Sequence, residues 1–223
     1  MNTNTGTTAA NLYPVPQLGS VAVYCSASSA VESHFAEAAR TIGRALGASG
    51  LQLVFGAGAA GLMGETAKAC KAAGGRVFGI TTEKLNALEG VSDACDEVEI
   101  VAEMPVRRSR MMELADGFVI LPGGLGTYEE FFEVLVGRQL GDQGKPIVIV
   151  NHGDYYAPMI AMIEHGIEHN FIRGTIRDTL IVVDSAEDAL PALLAHRPGS
   201  HDPADFLFLP AEHESVAPLS AAS

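Results

Sequence analysis

One turn and one short stretch of this chain concentrate residue types suited to binding and cleaving a charged molecule. After Phe118-Val119-Ile120-Leu121, an apolar run with strand character, comes Pro122-Gly123-Gly124-Leu125-Gly126-Thr127-Tyr128-Glu129-Glu130. Three glycines ahead of a threonine at a helix start leave backbone N–H groups free to surround an anion. The helix macrodipole adds about half a positive charge there. Glu130 falls on the first helical turn by this reading, where a carboxylate can stabilise developing positive charge or activate water. The same residues also have a purely structural reading. Thr127-x-x-Glu130 fits a capping box, with the Glu side chain reaching back to the Thr127 N–H. A cap, however, does not require three glycines before it.

The stretch is Arg107, Arg108 and Arg110, three of only 14 basic side chains within four residues. Pro105 suits the first turn of a helix, which puts these cations near a positive helix end, against the macrodipole. Charge kept where it is locally unfavourable points to an anion nearby; a solvated face pairing with Glu103 and Glu113 is the bland alternative. A second glycine turn, Gly56-Ala57-Gly58-Ala59-Ala60-Gly61, follows the apolar run Leu51–Phe55 and spells G-x-G-x-x-G, with Glu83 about 20 residues on. Gly56 and Gly58 would let the backbone approach a ligand closely. Tight helix–sheet packing explains the same glycines.

Positioning these turns requires strands that end where helices begin. β-like runs at Val21–Cys25, Leu51–Phe55, Arg76–Ile80, Val98–Val101, Phe118–Leu121, Ile147–Val150 and Leu180–Val183 alternate with helix-like segments at Glu32–Ala48, Leu62–Ala73, Pro105–Ala115, Tyr128–Leu140, Tyr155–His169 and Ala186–Ala195. Strands apolar on both faces and separated by helices predict a parallel sheet covered on both sides. The expected fold is α/β, a single Rossmann-like domain over residues 19–196, with tails at 1–18 and 197–223. Phe206-Leu207-Phe208-Leu209 is the one part of the second tail suited to docking on a surface. Ligands on such sheets sit beyond the carboxyl ends of the strands.

Composition narrows the partners. The net charge of −13, from 27 acidic against 14 basic residues, disfavours nucleic acid. No apolar run approaches the ~20 residues that cross a bilayer, and the first 19 residues do not read as a signal peptide. Cys25, Cys70 and Cys95 are odd in number and form no C-x-x-C pair, as expected of reduced thiols in a cytoplasmic protein. At 48% hydrophobic residues, the chain can spare apolar surface for a second subunit.

Met104-x-x-Arg107-Arg108 together with Pro122-Gly-Gly-x-Gly-Thr-x-x-Glu130 resembles the LOG ("lonely guy") family of cytokinin riboside 5′-monophosphate phosphoribohydrolases. The likeness runs from about Val21 to Ala195 and includes Gln139-Leu140-Gly141 and Asp154-Tyr155-Tyr156. It implies a homodimer or larger assembly that hydrolyses the N-glycosidic bond of a purine nucleoside 5′-monophosphate, AMP or an N6-substituted relative. The products are free base and ribose 5-phosphate, with no metal or other cofactor. The resemblance assigns catalysis to Arg107 and Glu130. It assigns substrate binding to Glu89, Met104, Arg108, Gly123, Gly124, Leu125, Gly126, Thr127, Tyr128 and Glu129, beside Gly56 and Gly58. The chain departs from the family at Arg108 (usually Lys), Pro105 (often His), Ser26-Ala27-Ser28 (Gly-Ser-Ser) and Val136 (often Thr).

Three other classes compete. A non-catalytic nucleotide-binding module would use the same loops. An NAD(P)-dependent oxidoreductase would use Gly56 to Gly61 and Glu83, but that turn follows the second strand and leaves the other glycine loop idle. His165-x-x-Glu168-His169 spells a zinc-peptidase pattern, weakened by Gly166 and by the lack of an obvious third ligand.

Overall fold

The structure, a computed structural model, describes residues 18–196 and 203–207. Seven strands alternate with helices: β1 (Ser20–Tyr24), α1 (Ser33–Ala48), β2 (Gln52–Phe55), α2 (Gly61–Ala72), β3 (Val77–Thr82), α3 (Glu83–Glu89), β4 (Glu97–Val101), α4 (Met104–Leu114), β5 (Phe118–Ile120), α5 (Leu125–Leu140), β6 (Ile147–Val150), α6 (Ala157–Glu168), β7 (Leu180–Val183) and α7 (Ala189–Ala195). The strands form one sheet in the order β4-β3-β2-β1-β5-β6-β7, every neighbouring pair parallel. The Rossmann-like α/β architecture read from the alternating segments is the one observed.

The strands alternate their side chains between two cores. Val21 and Val23 join α1, α2 and α7 on one face, while Ala22 and Tyr24 join α4, α5 and α6 on the other. That is the period of two expected of a sheet buried on both sides. Residues of β1, β5 and β6 are all buried, whereas edge strand β4 is mostly exposed. Its Glu97 and Glu99 pair with Arg76 and Arg110, and charge on an edge discourages further strand pairing. Among the described residues no helix is long and apolar enough to cross a membrane.

Several boundaries differ from the sequence reading. Helix α3 had no signal, because it is short and has no buried residue and so shows no apolar stripe. The helix expected over Tyr155–His169 is observed as α6, Ala157–Glu168, shortened at both ends. Gly153 and Asp154 adopt positive φ (62° and 59°) in a 3-10 turn before α6 begins at Ala157. The expected docking of the Phe206 segment is seen for Phe206 itself. It is buried against the α5–α6 side, and Gln139 donates to its carbonyl at 3.2 Å. Of the tails assigned to 1–18 and 197–223, residues 1–17, 197–202 and 208–223 lie outside the described residues.

Candidate active site

The chain reverses its direction of winding between β1 and β5, so the loops after these strands diverge and open a crevice at the carboxyl end of the sheet. A cleft of about 290 Å³ lies there, lined by Cys25, Ser26 and Ala27 after β1, Met63 on α2, Leu85 and Glu89 on α3, Met104 and Arg107 on α4, and Gly124, Gly126, Thr127 and Glu130 on α5. Ser26 ties the two glycine turns together. Its N–H donates to Pro122 O at 3.2 Å, and its carbonyl accepts from Met63 N–H at the same distance.

Helix α5 starts earlier than its sequence suggests. Gly124 is the N-cap and no side chain caps the helix. Thr127 lies inside the first turn, so the Thr127–Glu130 capping box is not formed, and Glu130 sits in the second turn rather than the first. The first N–H groups of an α-helix have no partner within it, and here Gly124 and Gly126 bring them to an open part of the cleft. The α5 N-terminus is therefore a donor array with the positive end of a dipole behind it. A Cβ on Gly123 would lie 2.1 Å from Thr127 Oγ1, so that glycine makes room for the Thr127 side chain. Added Cβ atoms on Gly124 and Gly126 would meet no protein atom within 4 Å. Packing does not explain those two glycines, whereas close approach of a ligand does.

The three clustered arginines part company. Arg107 turns inward and is 6% exposed. Its Nε donates to Ile80 O at 2.9 Å and its Nη1 lies 3.4 Å from Glu130 Oε1. Arg108 bridges α4 to α5 through Glu133 (2.6 Å) and Glu129 (3.1 Å), and Arg110 pairs with Glu99 and Glu113. The bland reading thus holds for Arg110, whose partners include the expected Glu113. Only Arg107 reaches the cleft, because Gly56 leaves it space: a Cβ there would sit 2.0 Å from its Nη2. Between Gly56 and Gly58, buried Ala57 is held at φ 65°, a left-handed conformation that costs a non-glycine residue about 1–2 kcal/mol.

Glu130 is buried beside this guanidinium. Desolvation pushes its carboxyl up to about 7; Arg107 pulls the other way and Glu129 adds to the rise. A carboxyl poised near neutrality in a cleft is a feature of sites that do acid–base chemistry. Burial also holds the Cys25 thiol well above its ordinary range, which leaves it protonated and a poor nucleophile.

Of the residues named from sequence, Glu89, Met104, Arg107, Gly124, Gly126, Thr127 and Glu130 line the cleft. Gly56, Gly58, Arg108, Gly123, Tyr128 and Glu129 stand behind or beside it, and Leu125 is 85% exposed at the start of α5. Sequence reading missed Cys25, Ser26, Ala27, Met63 and Leu85 as lining residues. The first three follow a strand at the switch point, and that placement is the signal that could have found them. The rival sites are not assembled. Glu83 is exposed on α3, His165 is exposed on α6, and His169 is exposed just past its end. Among the described residues no group of three or more His, Cys, Asp or Glu side chains could hold a metal ion.

Fold and cleft together define a Rossmann-like α/β protein with a glycine-rich helix N-terminus opening into the cleft and a buried Arg–Glu pair next to it. Comparison with known proteins makes this specific. Residues 63–193 match the family described as "Possible lysine decarboxylase". The chain is 39% identical over 188 residues to the cytokinin riboside 5′-monophosphate phosphoribohydrolase of Rhodococcoides fascians, covering 84% of this chain and 94% of that protein. A namesake in Arabidopsis thaliana is 33% identical over 178 residues, covering 80% and 83%. The chain belongs to this family, the LOG family of phosphoribohydrolases. Solved structures with a similar fold include the molybdenum cofactor binding protein of Rippkaea orientalis (TM-score 0.61, 19% identity, 79% of this chain and 95% of that one) and the Moco carrier protein of Chlamydomonas reinhardtii (TM-score 0.60, 19% identity, 79% and 95%).

The space that Gly56 provides is testable. Gly56→Ala should leave melting close to that of the parent, because the clash falls on the end of a flexible side chain. With Arg107 in the catalytic role expected from sequence, turnover should nevertheless fall by roughly 10–100-fold, the scale of a misplacement of about 1 Å. Unchanged turnover would show that the position of Arg107 is not critical.

Proposed function

We propose that this protein hydrolyses the N-glycosidic bond of a purine nucleoside 5′-monophosphate, including N6-substituted, cytokinin-type nucleotides, to free base and ribose 5-phosphate. The observation that carries the reading is the Arg107–Glu130 pair buried at 3.4 Å directly beside the uncapped N-terminus of α5. Cleavage of a ribosyl C–N bond builds positive charge on the ribose and negative charge on the departing base. In this reading the 5′-phosphate rests on the N–H groups after Gly123, and its binding energy positions C1′ near Glu130. The ionised Glu130 carboxylate stabilises the oxocarbenium-like centre and orients water, which adds its hydroxyl to C1′ as the base leaves with the bonding electrons and gains a proton. Arg107 presents a planar fork of N–H donors and serves here as an electrostatic partner to the departing base or the phosphate. Leu85, Glu89, Met104 and Met63 form the part of the wall on which we place the base. Residues 19–196 are the unit we read as carrying the activity.

The decarboxylase wording of the family description finds no support in the site. The four lysines are Lys68, Lys71, Lys84 and Lys145, and none lines the cleft. A pyridoxal phosphate Schiff base would need one there. The direct test of the proposed activity is release of ribose 5-phosphate from a panel of nucleoside monophosphates, with and without N6 substituents. Absence of release from every member would overturn it.

The same reading includes a homodimer or larger assembly in the cytoplasm. Between α4 and α5 runs a groove of about 740 Å³ whose lining includes Met112, Phe132, Val136 and Leu140. Val136 and Leu140 are 46% and 47% exposed. An apolar strip of this kind suits a subunit contact. Light scattering at micromolar concentration should give at least twice the monomer mass, and Val136→Glu should shift it toward the monomer. A fully active monomer would contradict this.

A further inference from the structure

Each carbonyl from Leu121 to Gly124 is taken by a protein donor. Tyr156 Oη donates to Leu121 O at 2.7 Å, Ser26 N–H to Pro122 O at 3.2 Å, Tyr155 Oη to Gly123 O at 2.6 Å, and Tyr128 N–H to Gly124 O at 3.0 Å. A trans peptide holds its C=O and N–H on opposite sides. Where the Gly123 carbonyl turns to Tyr155, the Gly124 N–H therefore turns the other way. Gly124 lines the cleft and Tyr155 does not.

That peptide is also the one most in need of fastening. It joins two glycines, so no side chain resists a flip that would present an oxygen in place of the N–H. We infer that Tyr155 is a positioning residue for the phosphate loop, its hydroxyl holding the Gly123 carbonyl away so that the Gly124 N–H stays aimed at the nucleotide 5′-phosphate. This rests on the proposed function, in which that loop takes the phosphate.

The surroundings are built to present this hydroxyl. Gly153 and Asp154 just before it are both left-handed, at φ 62° and 59°, a conformation that a non-glycine residue keeps only where the fold enforces it. Asn151 locks the turn. Its Oδ1 accepts from Tyr156 N–H at 2.8 Å and its Nδ2 donates to Asp154 Oδ1 at 3.4 Å. Tyr128 Oη donates to Tyr155 Oη at 3.3 Å, completing a relay that ends on the Gly123 carbonyl. The paired Tyr128 hydroxyl and burial hold the Tyr155 phenol above its ordinary range, and the neutral hydroxyl keeps the proton it donates to Gly123 O.

Tyr155→Phe removes only the hydroxyl. We compare it with the parent in AMP kinetics, competitive inhibition by ribose 5-phosphate, and thermal melting. The expected result is a near-parental melting curve, with KM for AMP and the inhibition constant both raised about 10-fold and kcat within about threefold, the scale of one lost hydrogen bond to a loop that must stay ordered. Parental KM and inhibition constant in an otherwise active protein would overturn the inference while leaving the proposed function intact. So would a fall in kcat and melting temperature without a change in the inhibition constant, which would assign the ring to general folding. A parent that neither cleaves AMP nor is bound by ribose 5-phosphate would overturn both.

Discussion

Glu130→Gln should lower turnover by roughly 10²–10⁴-fold, the range expected of a positioned acid–base or electrostatic group, while nucleotide binding survives. The structure removes the obvious competing explanation for this residue. Gly124, not Thr127, caps α5, so Glu130 has no cap to complete and its carboxyl is free to face Arg107 at 3.4 Å. Glutamine keeps the size and one acceptor oxygen but not the negative charge that the ribosyl transition state needs. Arg107→Ala should abolish turnover as well. Glu129→Gln should do far less, because Glu129 is exposed and pairs with Arg108 on the outer side of the helix. A Glu130→Gln protein with near-normal turnover would leave the reaction without its carboxylate.

The pH profile gives the same claim a sign. Burial pushes the Glu130 carboxyl up to about 7. If the carboxylate is the working form, kcat/KM for the parent should climb as pH rises through about 7, and this limb should disappear in Glu130→Gln. An opposite limb, falling with rising pH, would make Glu130 a proton donor. Stability follows from the same shift. The folded-state value lies above the ordinary 4.5, so the unfolded chain gives up this proton first. The contribution of Glu130 is therefore most favourable below about 4.5 and declines as pH rises through about 7. Glu130→Gln should lose that part of the pH dependence, as equilibrium unfolding at pH 5 and pH 8 would show.

AMP should be hydrolysed with a kcat/KM that exceeds that of adenosine by roughly 10³-fold or more. The reasoning is that binding energy from a remote group is used to position the reacting bond. In the proposed function the phosphate rests at the α5 N-terminus, within two turns of Glu130 on one rigid helix, so phosphate and carboxylate have a fixed separation. Removing the phosphate removes its charge-assisted hydrogen bonds and also the restraint that brings C1′ to Glu130. Ribose 5-phosphate should inhibit competitively, whereas ribose should not. Comparable kcat/KM for adenosine and AMP would mean that the glycine-rich loop serves something other than the substrate phosphate.

The layered architecture was legible because short runs such as Val21–Cys25 and Ile147–Val150 are apolar throughout and alternate with longer helix-like segments, the pattern of strands buried on both faces. The glycine turn at Pro122-Gly123-Gly124 was legible too, because its place between an apolar strand and a helix has a local geometric meaning, and Gly124 does line the cleft. Helix α3 was illegible, since nothing on it is buried to leave a periodic trace, and yet it brings Leu85 and Glu89 to the cleft. Competition between a cap and a catalyst at Glu130 was undecidable from sequence, because both readings share one spacing. Only the placement of the N-cap at Gly124 separates them. The same holds for the arginines. Residues 107, 108 and 110 are equivalent as a cluster, and what distinguishes Arg107 is the missing side chain of Gly56, 51 positions away, on a different strand end. The tyrosine that fastens the Gly123 carbonyl lies 32 residues from it. Contacts of this range depend on which strands are neighbours, and strand order is set by packing of the whole sheet rather than by any local run of residues.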